Sequence, residues 1–375
     1  MPKPLPLVVC FSRVEDPRVE RTKLHLLVDI LVLSVLAVIA GAEGWEDIEQ
    51  FGNDKHEWLK KFLELPNGIP SHDTINRVFR LLKPQAIQDA WAAWVDSVHA
   101  ALGLNLIAVD GKTLRRSHDR RSVKSALHVV SAWSVENHLM LGQQSVDSKS
   151  NEITAIPELL RVLEIKGAII SIDAMGCQKE IAKQVIDQKG HFLLAVKDNQ
   201  PTLRKAIDQH FINIHEDKAP GVRCFQYATH EKSHGREVSR YYYITAVPDT
   251  VLAVAKGFPE LKSVGEVVTV TLRGEKKTTE VRQYISSLPP RVKQFASAVR
   301  GHWGIENSLH WALDVTLRED ESRIRTDTGP DNFAFLRRIA ISIIKQDKSV
   351  GSIRRKRKRA AWNNEALGKI AGLTL

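Results

Sequence analysis

Apolar residues in the first hundred positions recur at three- and four-residue intervals, the period that gathers one face of an α-helix. "LHLLVDILVLSVLAVIAGA", residues 24 to 42, is apolar almost all round and predicts a buried helix. "GWEDIEQFGNDKHEWLKKFLEL" and "PQAIQDAWAAWVDSVHAAL" show the amphipathic version of the same period. "LPNGIPS" breaks the chain before "SHDTINRVFRLL", where Ser71 can cap the next helix by accepting a backbone N–H hydrogen bond. After Gly103 the pattern shifts to short β-branched or apolar runs between polar turns. "LNLIAVDG", "ALHVVSAWSV" and "HLMLGQQSV" predict three consecutive strands. Helices at "EITAIPELLRVLE", at "QKEIAKQVIDQ" and from about Pro201 then alternate with strands at "GAIISIDA" and "HFLLAVK". Residues from about 220 to 290 predict strands with no helix between them and a hairpin turn at Gly235, and the helical period returns from Pro290.

Three strands followed by alternating helix and strand predict a mixed α/β sheet. The expected organisation is a helical domain over 1–102, an α/β domain over 103–345 with its β-rich insertion at about 220–290, and a basic tail over 346–375. The segment 24–42 is interrupted by His25 and Asp29, and its uninterrupted run from Ile30 to Ala40 is shorter than the roughly 20 residues of a membrane span, so no membrane partner is expected.

Charge adds a direction. The 375 residues carry a net charge of +10 and a pI near 9.4, which favours polyanionic partners such as nucleic acid. Cys10, Cys177 and Cys224 are distant and odd in number, neither a disulfide framework nor a zinc spacing, and match a reducing cytoplasm; the expected location is cytoplasmic and nucleoid-associated.

Candidate chemistry gathers at the strand ends. Asp110 closes the first strand in "LIAVDGK" and Asp173 the fourth in "IISIDAM", and ligands of open α/β sheets bind beyond strand ends. A lone strand-end aspartate usually caps a turn. Two near each other repel unless a divalent cation compensates them. Magnesium chemistry on phosphodiesters uses two ions about 3.5–4 Å apart, and a third acid, Glu306 in "GHWGIENSLHW", is available on a helix.

"LIAVDGKTLRRS", "SIDAMGCQ" and "HWGIENSLHWALDV", in that order, resemble insertion-sequence transposases of the Asp-Asp-Glu type, of the H-repeat-associated (ISAs-type) branch. "GWEDIEQFG", "GIPSHDTINRVFR", "VKDNQPTL" and "HGRE" extend the resemblance over nearly the whole chain. It implies a ribonuclease-H-like mixed sheet with a β-rich insertion, preceded by a helical N-terminal domain. Asp110, Asp173 and Glu306 would be catalytic metal ligands for two Mg²⁺ ions, with Mn²⁺ able to substitute. The implied activity is strand cleavage and strand transfer of an insertion sequence. Terminal inverted repeats and target DNA would be the partners, bound by a homodimer in a synaptic complex. Relatives with a β insertion usually carry Tyr-x2-Arg-x3-Glu-x6-Lys around the glutamate; here Val299, His302 and Leu313 occupy the flanking places, so those phosphate contacts do not transfer. Two alternatives stand beside this reading: a metal-dependent nuclease that never joins strands, and a domesticated DNA-binding protein.

Lys112, Arg115 and Arg116 after Asp110, together with Arg236, Arg300, His302 and His310, are the candidate DNA contacts. His302 and His310 lie one helical turn either side of Glu306. Plainer roles are set beside them. Trp303, Ile305, Leu309 and Trp311 are expected in the core, and "LREDES" at 317–322 at a solvated helix end. The helix 72–82 is either an ordinary capped amphipathic helix or a recognition helix presenting His72, Asn76, Arg77 and Arg80. "RRKRKR" at 354–359 is expected to be solvated, adding sequence-independent phosphate affinity.

Overall fold

The computed structural model describes residues 5–99, 105–118, 125–146, 151–233 and 235–373. In chain order the elements begin with helices α1 (Leu7–Phe11), α2 (Leu27–Ala40), α3 (Trp45–Asp54), α4 (His56–Leu59), α5 (His72–Leu81) and α6 (Pro84–His99). Strands β1 (Leu106–Thr113), β2 (His128–Ser134) and β3 (Leu139–Val146) follow, then α7 (Glu152–Arg161), β4 (Ile169–Ile172), α8 (Lys179–Asp187), β5 (His191–Val196) and α9 (Pro201–His215). The insertion contains β6 (Phe225–Ser233), β7 (Arg236–Ala246), a short α10 (Asp249–Val254), β8 (Ser263–Arg273) and β9 (Lys276–Ser286). Helices α11 (Val292–Ile305), α12 (Gly329–Gln346), α13 (Ile353–Trp362) and α14 (Asn364–Ala371) complete the chain.

The strands are hydrogen-bonded in the order β3-β2-β1-β4-β5-β9-β8-β7-β6. β1, β4 and β5 are parallel neighbours, β2 and β3 are antiparallel, and β9 to β6 form an antiparallel extension. This is the expected ribonuclease-H-like mixed sheet with a β-rich insertion, preceded by helices. One expectation fails in detail, because α10 stands between β7 and β8, where Asp249 provides a first-turn acid and Val251 a buried contact. Gly235, at φ +70°, stands where antiparallel β6 and β7 are joined, at the hairpin turn expected there.

Two compact units can be described, one from residues 1–103, 111–149 and 305–375, the other from 104–110 and 150–304. The first is built around α2, whose residues Ile30 to Ile39 are all buried, against α12 and α13. An all-apolar helix needs cover on every side, and here protein supplies it. No single helix among the described residues is long and apolar enough to cross a membrane. Trp91 and Trp94 stack on α6 at 4.3 Å, and the Trp91 indole donates to Met140 O at 2.8 Å. Ser71 caps α5 as expected, accepting from Thr74 N. The other end of α5 is held by α12, whose Asn332 Nδ2 donates to Phe79 O (2.7 Å) and Leu82 O (2.9 Å), satisfying carbonyls the helix cannot.

The tract 354–359 is solvated at Arg354, Arg355, Lys358 and Arg359, as expected, but not throughout. It forms most of α13, and Lys356 and Arg357 are buried. Arg357 donates to Val38 O at 3.1 Å and to Thr316 O, and Lys356 to Asp347 O, so carbonyl acceptors compensate the buried cations.

In the second unit, α11 lies against the sheet. Phe295 seats over Gly265 of β8, where an added Cβ would come within 2.5 Å of its ring, and meets Tyr284 of β9 edge-on at 5.5 Å.

Candidate active site

The parallel register of β1 and β4 pairs Val109 with Ile172, so Asp110 and Asp173 are the next residues along on adjacent strands. Neighbouring strands lie about 4.8 Å apart, so the register brings the two backbone positions next to each other at one end of the parallel pair. Asp110 stands inside β1 rather than at its end, since the strand continues to Thr113. Asp173 is the first residue after β4 and also caps the turn Ala174–Gly176, accepting from Met175 N at 3.1 Å. The modest capping role and the position beside a second acid therefore coexist. Burial, with the Glu152 charge, holds the Asp173 carboxyl above the usual carboxylate range.

The segment "VKDNQ" braces the turn after Asp173. Asn199 Nδ2 donates to Ala174 O at 2.6 Å and Gln200 Nε2 to Cys177 O at 2.9 Å. Nothing in the spacing of these residues along the chain marks them for this role; only the resemblance drew notice to the segment.

Helix α11 reaches the sheet at β4. Ser171 lies two residues before Asp173 and shares its face, and its hydroxyl lies 3.1 Å from His302 Nδ1. Burial pushes His302 down to about 4, so the ring is neutral at physiological pH. Trp303 carries the Arg282 guanidinium over its ring at 3.8 Å. At Glu306 the α-helical pattern gives way to π-helical turns, Glu306–His310 and Ala312–Thr316, a local widening that often marks functional positions. Glu306 itself is exposed, four residues or about 6 Å of helix rise beyond His302.

Several expectations for this helix are corrected. Ile305 and Leu309 are core as expected, but Trp311 is 58% exposed and Trp303 only partly covered. Residues two apart do not share a helix face, and Leu309 and Leu313 hold the inner one, so Trp311 between them faces out. His302 is not a cationic DNA contact, because it is neutral and engaged with β4. His310 is partly buried.

The remaining cations divide. Lys112 is 8% exposed and enclosed by Asp314 (2.7 Å), Asp320 (3.1 Å) and Glu319 (3.8 Å), so it is an internal counter-ion rather than a DNA contact. The acids of "LREDES" are correspondingly not all solvated: Glu319 is fully buried against Arg338 at 2.7 Å. Arg300 is held by both oxygens of Glu231 at 3.0 Å. Arg115 is exposed and pairs with Asp320 at 3.3 Å. Arg116 and Arg236 are exposed. On α5, His72 binds Glu49 at 2.6 Å and Arg80 binds Asp327 at 2.8 Å, leaving Asn76 and Arg77 as the partly and fully exposed polar positions.

Carboxylate oxygens are the donors a hard divalent cation prefers, and Asp110 and Asp173 supply them from neighbouring parallel strands. Among the described residues no three His, Cys, Asp or Glu side chains form a group able to hold one ion.

A family model described as the transposase DDE domain matches residues 102–343, and one described as DDE_Tnp_1-associated matches residues 8–95. The chain belongs to the DDE transposase family. Among its transposase relatives, the H repeat-associated protein YhhI of Escherichia coli (strain K12) is 44% identical over 353 residues, covering 92% of each chain. The H repeat-associated protein YbfD of the same strain is 47% identical over 228 residues, 61% of this chain and 89% of that one. A solved synaptic complex of piggyBac transposase with hairpin DNA aligns over 98% of this chain and 81% of that chain, at a TM-score of 0.41 and 9% identity, a likeness too distant to carry argument. For this transposase the matched DDE region contains all three acids singled out by position, Asp110, Asp173 and Glu306.

Proposed function

We propose that this transposase cleaves and joins DNA at the ends of an insertion sequence, with Asp110, Asp173 and Glu306 as its catalytic carboxylates. The observation that carries the reading is the in-register placement of Asp110 and Asp173 on adjacent parallel strands. Glu306 is assigned as third acid from its place in the family motif and from the π-helical turn that it opens, just beyond the His302 anchor. Two divalent ions, Mg²⁺ with Mn²⁺ as substitute, would supply Lewis acidity to the attacking and leaving oxygens when bound by these acids. In cleavage a water oxygen forms a bond to phosphorus while the 3′ oxygen leaves as a hydroxyl. In transfer that hydroxyl forms the new bond to a target phosphorus, and a target 3′ oxygen leaves. Neutral His302 keeps a competing cation out of the carboxylate face, and Asn199 and Gln200 hold the turn behind Asp173. Terminal inverted repeats and target DNA are the substrates, and a homodimer would bring two ends together.

The test is cleavage and joining of a plasmid carrying the element's ends, with Mg²⁺, by wild type, Asp110→Asn, Asp173→Asn and Glu306→Gln. Each variant should lose at least about 100-fold in cleavage while retaining DNA affinity. An Asp173→Asn protein that cuts at the full rate refutes the assignment. Cleavage without joined products from pre-cut ends would make the chain a nuclease, and DNA binding unaffected by metal with no cleavage at all would make it a DNA-binding protein.

A further inference from the structure

Within the first unit a cleft of about 940 Å³ is lined by the start of α3, by Asn76 of α5, by Arg116 and His118 after β1 and by the segment 323–326. Its walls bear Arg116, Arg323 and Arg325, with Asn76 of α5 and two acids, Glu43 and Glu46. Three arginines against two acids leave the walls with a net positive charge, although Arg116 is within electrostatic reach of the exposed Glu321 nearby. Glu43 is already held by Arg318 at 3.2 Å, and the nearby Glu321 and Asp327 by Arg318 and Arg80. None of the ion pairs among the described residues engages Arg116, Arg323 or Arg325. Arg325 Nε instead donates to Arg116 O at 3.2 Å, which fastens the two basic segments to each other. Three guanidinium groups held around one water-filled space repel each other unless a polyanion occupies it, and guanidinium matches phosphate oxygens in geometry as well as charge. The helix that supplies Asn76 is also the one whose exposed face offers Arg77.

We propose that this cleft is a DNA-backbone site, in which Arg116, Arg323 and Arg325 contact successive phosphates and Asn76 the adjoining sugar or base edge. It contains none of the three catalytic acids. Its occupant is duplex DNA, so the proposal rests on the transposase reading, and the test separates the two.

The full chain is titrated against a short fluorescein-labelled duplex of random sequence, by anisotropy, between about 50 and 200 mM salt. Arg323→Gln should weaken binding several-fold and lower the slope of log K against log salt by about 0.9, and the triple Arg116→Gln, Arg323→Gln, Arg325→Gln chain by about 2.7, three times that value. Arg323→Lys, keeping the charge, should keep the slope. Arg323 makes no ion pair that the substitution would break, so a thermal melt matching wild type confirms that the loss is one of binding. Unchanged affinity and slope in the Gln variants, with wild type binding normally, overturns the cleft proposal and leaves the transposase reading intact. No duplex binding by the unaltered chain sinks both. If Arg323→Gln alters sedimentation but not DNA affinity, the cleft is an interface between copies and the proposal falls.

Discussion

Glu319→Gln offers a sharp energetic test, because the residue is enclosed by two cations in the first unit. Glu319 and Arg338 are both 0% exposed, with Arg338 Nη1 2.7 Å from Glu319 Oε1 and Lys112 Nζ 3.8 Å from its other oxygen. Arg338 Nε also donates to Ser131 Oγ at 3.3 Å, and the neighbouring Arg337 is buried too, pushed down to about 10 by desolvation. Glutamine keeps the shape and an acceptor but removes the fully buried carboxylate that Arg338 faces at 2.7 Å, taking away the charge that compensates its cation. Breaking a buried pair from one side costs about 3–5 kcal/mol. With the hydrogen bond retained, the low end, about 3 kcal/mol, is expected. At roughly 2–4 °C per kcal/mol for a unit of 150–250 residues, the melting temperature should fall by about 6–12 °C. Urea unfolding followed by circular dichroism measures the free energy, and calorimetry the midpoint. Removing both charges with Glu319→Leu and Arg338→Met should recover most of the loss, because Lys112 keeps Asp314 and Asp320. A Glu319→Gln chain within about 0.5 kcal/mol of wild type would refute the account of Lys112 and Arg338 as internally neutralised cations, a value typical of exposed pairs.

Further outcomes follow from the same reasoning. The folded-state pKa of His302 is about 4 against an ordinary 6.5, so the unfolded chain takes up a proton that the native chain refuses as pH falls through about 6.5. The native state should lose up to about 3 kcal/mol between pH 6.5 and 4 through this residue, at 1.36 kcal/mol per unit. Urea titrations of wild type and His302→Asn should converge in stability as the pH is lowered, and parallel pH profiles would show that the ring titrates freely. Asn332→Ala should cost about 1 kcal/mol, because the Thr328 hydroxyl, 3.1 Å from Phe79 O and 3.0 Å from Leu82 O, can donate to only one of the two carbonyls that the amide serves; an unchanged urea midpoint would show that the other needs no protein donor.

Much of this protein was legible in one dimension because periodicity is a local property. The all-apolar α2, the alternation from β1 to α9 and the run of strands in the insertion could each be read from spacing, and the Gly235 turn from composition. Asp173 was legible as the residue after a buried strand, whereas Asp110, read as a strand end, lies inside β1 because the strand continues to Thr113. What could not be read was charge partnership. "RRKRKR" and "LREDES" look alike to a composition argument, as solvated runs, yet Arg357 is buried against backbone carbonyls and Glu319 against Arg338. Lys112 and His302 both looked like DNA contacts, and each has a partner more than a hundred residues away.

The sequence by itself determined most of the segments that become helix or strand and the acid that follows β4, since both depend on neighbours a few residues apart. Tertiary structure alone decided the register that sets Asp110 beside Asp173, the burial that makes His302 neutral, and which arginines remain without a carboxylate. Those outcomes depend on desolvation and on groups distant in the chain, and neither is encoded in any local window of residues.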